Sequence, residues 1–106
     1  MRLLVNVTCP IEPFNSLVRN GTAGEVIERC MDEIKPDQVY FSEHNGNRGC
    51  TMVVNVKDES EIPRIAEPWF LNFNASCEFR IAMTKEDLMK ANLSQYAEKT
   101  TEAHLN

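Results

Sequence analysis

Apolar and polar residues alternate at the start of the chain: Leu3, Val5, Val7 and Cys9 fall on one side, Leu4, Asn6 and Thr8 on the other. Period two with β-branched content predicts a strand, and Pro10 and Pro13 close it. The period then lengthens. Phe14, Leu17 and Val18 share one side of a short helical piece that Gly21 stops. Val26, Ile27, Cys30, Met31 and Ile34 recur at helical spacing behind Thr22 and Glu25, the pattern of a capping box, with Pro36 just past the end.

Alternation returns in "VYFSEHNGNRGCTMVV", Val39 to Val54. Asn45-Gly46 predicts a type I′ turn, because both residues tolerate positive φ. With that turn, His44 faces Asn47, Glu43 faces Arg48, Phe41 faces Cys50, Tyr40 faces Thr51 and Val39 faces Met52. Apolar meets apolar and acid meets base, an agreement that a one-residue slip would destroy.

A second helix is expected over "DESEIPRIAEPWFLNF", capped by Asp58 or Ser60, with Ile62, Ile65, Ala66, Trp69 and Phe70 as its buried stripe and a kink or break at Pro68. "SCEFRIAM" reads as the last strand, with Cys77, Phe79, Ile81 and Met83 on its core side. A short capped helix follows from Thr84 to near Asn92. Residues 1–93 thus form a single α+β domain of order β-α-β-β-α-β plus a C-terminal helix, the ferredoxin-like order. Residues 94–106, which include His104, are expected to be a polar, mobile tail.

Composition narrows the classes. The chain of 106 residues is 42% apolar, enough for one core, and its net charge is −5. Basic residues are scattered, so the stripe that binds a phosphate backbone is missing and nucleic acid is not an expected partner. No apolar run approaches a membrane span of ~20 residues, and "MRLLVNVTCPIEP" is a strand rather than a secretory signal; a cytoplasmic protein that does not engage membranes is expected. The sequons at Asn6, Asn20, Asn74 and Asn92 are then chance matches. The four cysteines, Cys9, Cys30, Cys50 and Cys77, lack paired metal-site spacing and each sits at an apolar phase, so they read as small buried hydrophobes. No metal and no cofactor is expected.

The second sheet face carries Leu4, Asn6, Thr8, Tyr40, Ser42, His44, Thr51, Val53, Asn55, Glu78, Arg80 and Ala82. It is too apolar for a free solvent face and too polar for a core. The same face of a second copy would cover it economically, giving a homodimer with a semi-polar barrel between two sheets.

The element order resembles the dimeric α+β barrel superfamily. The runs "CPIEPFNSLVRNGTAGEVIERCMDEIKPDQVYF" and "IPRIAEPWFLNFNASCEFRIAMTKEDL", above all "AEPWFLNFNA", are similar to a small bacterial family of unknown function close to the DUF3303 group. The resemblance spans residues 1–93. It implies a ferredoxin-like protomer, a face-to-face dimer and, in some members, a cavity between sheet and helices. It does not imply one activity, since members include cofactor-independent oxygenases, isomerases, haem enzymes and ligand-sensing domains.

The candidate chemistry lies on the second face. Glu78 and Arg80 point to the same side, either as an ion pair of the dimer seam or as a clamp in which Arg80 forks a carboxylate. His44 is a candidate general base and Tyr40 a proton donor or oxyanion stabiliser. Cys50 is near His44 in sequence but faces the other way. The leading expectation is a binding or accessory domain whose small-molecule pocket, between sheet and helices, involves Asn6, Tyr40, Arg80 and the Trp69 region. The alternative is a cofactor-independent oxygenase- or isomerase-like enzyme using His44, Tyr40, Glu78 and Arg80.

Overall fold

A computed structural model describes the backbone of residues 1–105 and the side chains of residues 1–99. Strand β1 (Arg2–Thr8) leads through helices α1 (Ile11–Arg19) and α2 (Ala23–Ile34) to the hairpin β2 (Gln38–His44) and β3 (Asn47–Asn55). A 3₁₀ turn (Glu59–Glu61) opens α3 (Ile62–Phe73), followed by β4 (Ser76–Ala82), α4 (Lys85–Lys90) and α5 (Ser94–Leu105). The fold is α+β. Its four-stranded sheet has the order β2-β3-β1-β4 with every neighbouring pair antiparallel. β3 therefore separates the parallel pair β1 and β2, and β1 separates the parallel pair β3 and β4.

The hairpin has the register that its turn chemistry predicts. Asn45 and Gly46 have φ of 53° and 82°, and each expected pair is formed, from His44 opposite Asn47 to Val39 opposite Met52. The core lies on one side of the sheet only. Leu3, Val5 and Val7 of β1, Cys9 just after it, and Cys50, Met52 and Val54 of β3 meet Val26, Cys30 and Ile34 of α2 and Ile65, Trp69 and Phe73 of α3. No helix among the described residues is long and apolar enough to cross a membrane.

Three local expectations are revised, and the capped helix expected from Thr84 is met. Thr22 does not cap α2: its N–H (2.9 Å) and its hydroxyl (3.4 Å) both donate to the Leu17 carbonyl, closing α1 instead. The capping box forms at α4, where Thr84 Oγ1 accepts from the Asp87 N–H and Asp87 from the Thr84 N–H. Those bonds hold the Asp87 carboxyl below its usual range. Helix α3 runs unbroken through the buried Pro68, whose carbonyl accepts from Asn72 Nδ2 at 2.8 Å. Ile81 and Met83 have the core phase, but Ile81 is 73% exposed because β4 is an edge strand and the helix cover ends before it does.

The segment expected to be a tail is helical as α5, and the His104 side chain and Asn106 lie outside the described residues. Neither α4 nor α5 packs extensively on the body. The radius of gyration is accordingly 18.8 Å with a longest extent of 66 Å, against about 13 Å for a compact chain of this length.

Candidate functional site

The sheet separates two concavities. On the open face, Asn6, Thr8, His44, Asn45, Glu78 and Arg80 line a polar recess of about 320 Å³. Cross-strand register builds it, since Asn6 sits between Thr51 and Glu78, and Leu4 between Val53 and Arg80. Thr51 Oγ1 donates to Asn6 Oδ1 at 2.7 Å, and Glu78 pairs with Arg80 at 3.5 Å with both side chains largely in solvent. An exposed pair of this kind contributes little to stability.

His44 is half-buried, its Nδ1 3.3 Å from Thr8 Oγ1. Its seat is Gly49: a Cβ there would stand 2.6 Å from His44 Nδ1 and 2.5 Å from the Val7 carbonyl oxygen. The imidazole and the β1 backbone thus occupy the space a side chain would need. A glycine inside a strand marks such a close approach, which is the signal sequence reading passed over.

Asn6, His44, Glu78 and Arg80 are therefore brought together. Tyr40 is not: it is 65% exposed and its hydroxyl donates to Gln38 Oε1 at 3.3 Å, toward the start of β2. Trp69 is also apart, lying beneath the sheet in the core. The expected single pocket shared by Asn6, Tyr40, Arg80 and Trp69 is corrected accordingly: the sheet stands between Trp69 and the open face.

The second concavity does lie between sheet and helices. It is a cavity of about 480 Å³, walled by Cys9, Phe14, Ile27, Phe41, Cys50 and Trp69, with Glu43 and Arg48 of the hairpin at its margin. Its cause is a mismatch of lengths. A 12-residue helix such as α2 or α3 spans about 18 Å, whereas the 9-residue β3 spans about 30 Å. The turn end of the hairpin overhangs the helices, so Phe41 keeps its core phase yet is 56% exposed. An aromatic wall closes the inner side. Phe14 and Phe73 stack with centroids 4.8 Å apart, and Trp69 tilts against Phe73 at 5.5 Å. Trp69 is 2% exposed and its indole N–H has no hydrogen-bond partner among the described residues.

Two thiols face this cavity, and burial makes them poor nucleophiles. It pushes Cys50 up to about 12 and raises Cys9, which the Arg48 charge partly opposes. Burial also raises Cys30, and pushes Cys77 up to about 11. All four thiols are free, and no metal-binding cluster of His, Cys, Asp or Glu occurs among the described residues. Reaction with a disulfide reagent at pH 7 is expected to be slow for Cys9, Cys30 and Cys50 until denaturant is added; rapid stoichiometric labelling of the native protein would contradict the buried placement. A folded-state pKa above the usual 9.0 means that the unfolded chain ionises first. This stabilisation is complete below pH ~9 and is lost as pH rises from there toward the folded values. Urea midpoints should fall on the alkaline side of pH 9, and a quadruple Cys→Ala variant should lack that component.

No family model matches the chain, and no curated protein matches it.

Proposed function

We propose that the chain is a ferredoxin-like protomer of the dimeric α+β barrel kind that binds a small apolar molecule beneath its hairpin. It acts as a cytoplasmic binding or accessory domain. The observation that carries this reading is the cavity of about 480 Å³ with an apolar and aromatic wall, within the usual range of small-molecule sites, about 300–1,000 Å³. The sheet order β2-β3-β1-β4 with split parallel pairs supports the ferredoxin-like assignment. Four free thiols fit a reducing compartment.

Titration with a neutral aromatic probe, followed by emission from Trp69, the sole tryptophan, tests the cavity. Saturable quenching that disappears in Ile27→Phe, which fills the cavity from α2 without adding a second indole, supports it. Absence of binding to the wild type refutes it.

The same reading includes pairing through the open face. Leu4, Val53 and Ala82 are half-buried there among polar groups, and Met89, Leu93 and Tyr96 are exposed on the projecting C-terminal arm. Val53→Glu would set a carboxylate between Leu4 and Gln38 at the seam. Native mass spectrometry should show a dimer for the wild type and a monomer for the variant, with circular dichroism unchanged. A wild-type monomer at micromolar concentration rejects the face-to-face dimer.

A second reading, a cofactor-independent oxygenase- or isomerase-like enzyme, draws on the gathering of His44, Glu78, Arg80 and Asn6 around one recess. It needs His44 as proton acceptor, because Tyr40 is turned away. Loss of turnover in His44→Gln with fold and dimer intact is its distinguishing result.

A further inference from the structure

We infer that the cavity takes a hydrophobic anion, an aryl- or alkyl-carboxylate, with its apolar body among Phe14, Phe41 and Trp69 and its charged head on the Arg48 guanidinium. The inference rests on the cavity being a small-molecule site and specifies the class of molecule.

Register places Glu43 directly across from Arg48. The two do not form an ion pair. Glu43 is engaged by the turn, its Oε2 accepting from the Gly46 N–H at 2.7 Å. Arg48 instead lies over the Phe14 ring, with Cζ 4.5 Å from the centroid. Phe14 is a wall of the cavity, so this contact holds the cation at the cavity's margin. No side-chain N–H of Arg48 is hydrogen-bonded among the described residues. A guanidinium held in this way presents unspent, forked donors that match a carboxylate.

The rest of the molecule sharpens the contrast. Arg48 is the one cation among the lining residues, in a chain of net charge −5. Its charge also reaches the cavity wall, where it counteracts the effect of burial on the Cys9 thiol. Glu43 is the one lining carboxylate, and its bond to the turn leaves it less available to a cationic head.

The test is a matched series of 4-phenylbutanoate, 4-phenylbutan-1-ol and 4-phenylbutylamine, titrated by calorimetry at low ionic strength into wild type and Arg48→Gln. The acid is expected to bind wild type about tenfold or more tighter than the alcohol. Arg48→Gln should bring the acid to the alcohol's affinity and leave the alcohol unchanged. Equal affinity for acid and alcohol, or a preference that survives Arg48→Gln, overturns the anionic head while the cavity stands. Tightest binding of the amine also overturns it and assigns recognition to Glu43. Failure of all three to bind folded wild type overturns the small-molecule site itself.

Discussion

Replacing Gly49 with alanine is expected to lower the stability of the fold by about 1–3 kcal/mol, at the upper end of that range, and to unseat His44. The added methyl would stand 2.5 Å from the Val7 carbonyl oxygen and 2.6 Å from His44 Nδ1. An imidazole can rotate away at modest cost. The Val7 carbonyl cannot, because β1 is fixed on both sides, by β3 and by β4. Relief therefore requires β3 to move off β1 at the Thr8–Gly49 pair, beside the bond from the Cys9 N–H to the Arg48 carbonyl. For a domain of this size each kcal/mol shifts the melting midpoint by roughly 4–8 °C, so the midpoint should fall by ~10 °C or more. Adding His44→Ala separates the two obstacles. If the imidazole alone blocks the methyl, the second change rescues the first; the carbonyl contact predicts no rescue. A Gly49→Ala variant within ~0.5 kcal/mol of wild type by urea denaturation would refute the close approach.

Gly49 is the one residue whose role in the recess period two leaves unread, because a close approach of backbone and imidazole is a relation between strands. The fold class, the hairpin register and the core sides of β1 and β3 follow from local rules that tertiary structure does not override. Asn45-Gly46 fixes the turn, and period two fixes the faces. What failed depends on relations between elements. Thr22 and Thr84 carry similar capping patterns, yet only Thr84 caps. The link between α1 and α2 is so short that the Thr22 polar groups are spent on Leu17.

Ile81 and Phe41 have core phase without cover, because cover depends on where a helix ends over a strand. The apolar cavity arises from that same overhang, so of its walls only Trp69 was a candidate beforehand. The polar recess was more accessible to inspection, since strand alternation puts Asn6, His44, Glu78 and Arg80 on one side. Register alone left the Glu43–Arg48 pairing as the natural expectation. The turn's demand for an acceptor at the Gly46 N–H redirects Glu43 and releases Arg48 toward Phe14.

Trp69→Ala is expected to be the most damaging single truncation among the cavity walls, costing about 3–5 kcal/mol of a total stability of about 5–15 kcal/mol. The side chain is 2% exposed and leans on Phe73, which in turn stacks on Phe14. Its loss would merge a new void with the existing cavity, and the surrounding strands cannot collapse to fill both. Trp69→Phe separates the two roles of the indole. It keeps most of the aromatic wall and removes an N–H that has no partner among the described residues. Burying such a group unsatisfied costs about 1–3 kcal/mol. The phenylalanine variant therefore regains part of what it loses in packing, and should lie within about 1.5 kcal/mol of wild type. Urea denaturation followed by far-ultraviolet circular dichroism measures both variants, since neither retains the tryptophan signal. If Trp69→Phe is as costly as Trp69→Ala, the N–H is contributing a bond and the wall is more than apolar. If the order is Phe above Ala by 2 kcal/mol or more, the indole acts as an apolar wedge between core and cavity. The unsatisfied N–H is then tolerated there for the sake of the ring that carries it.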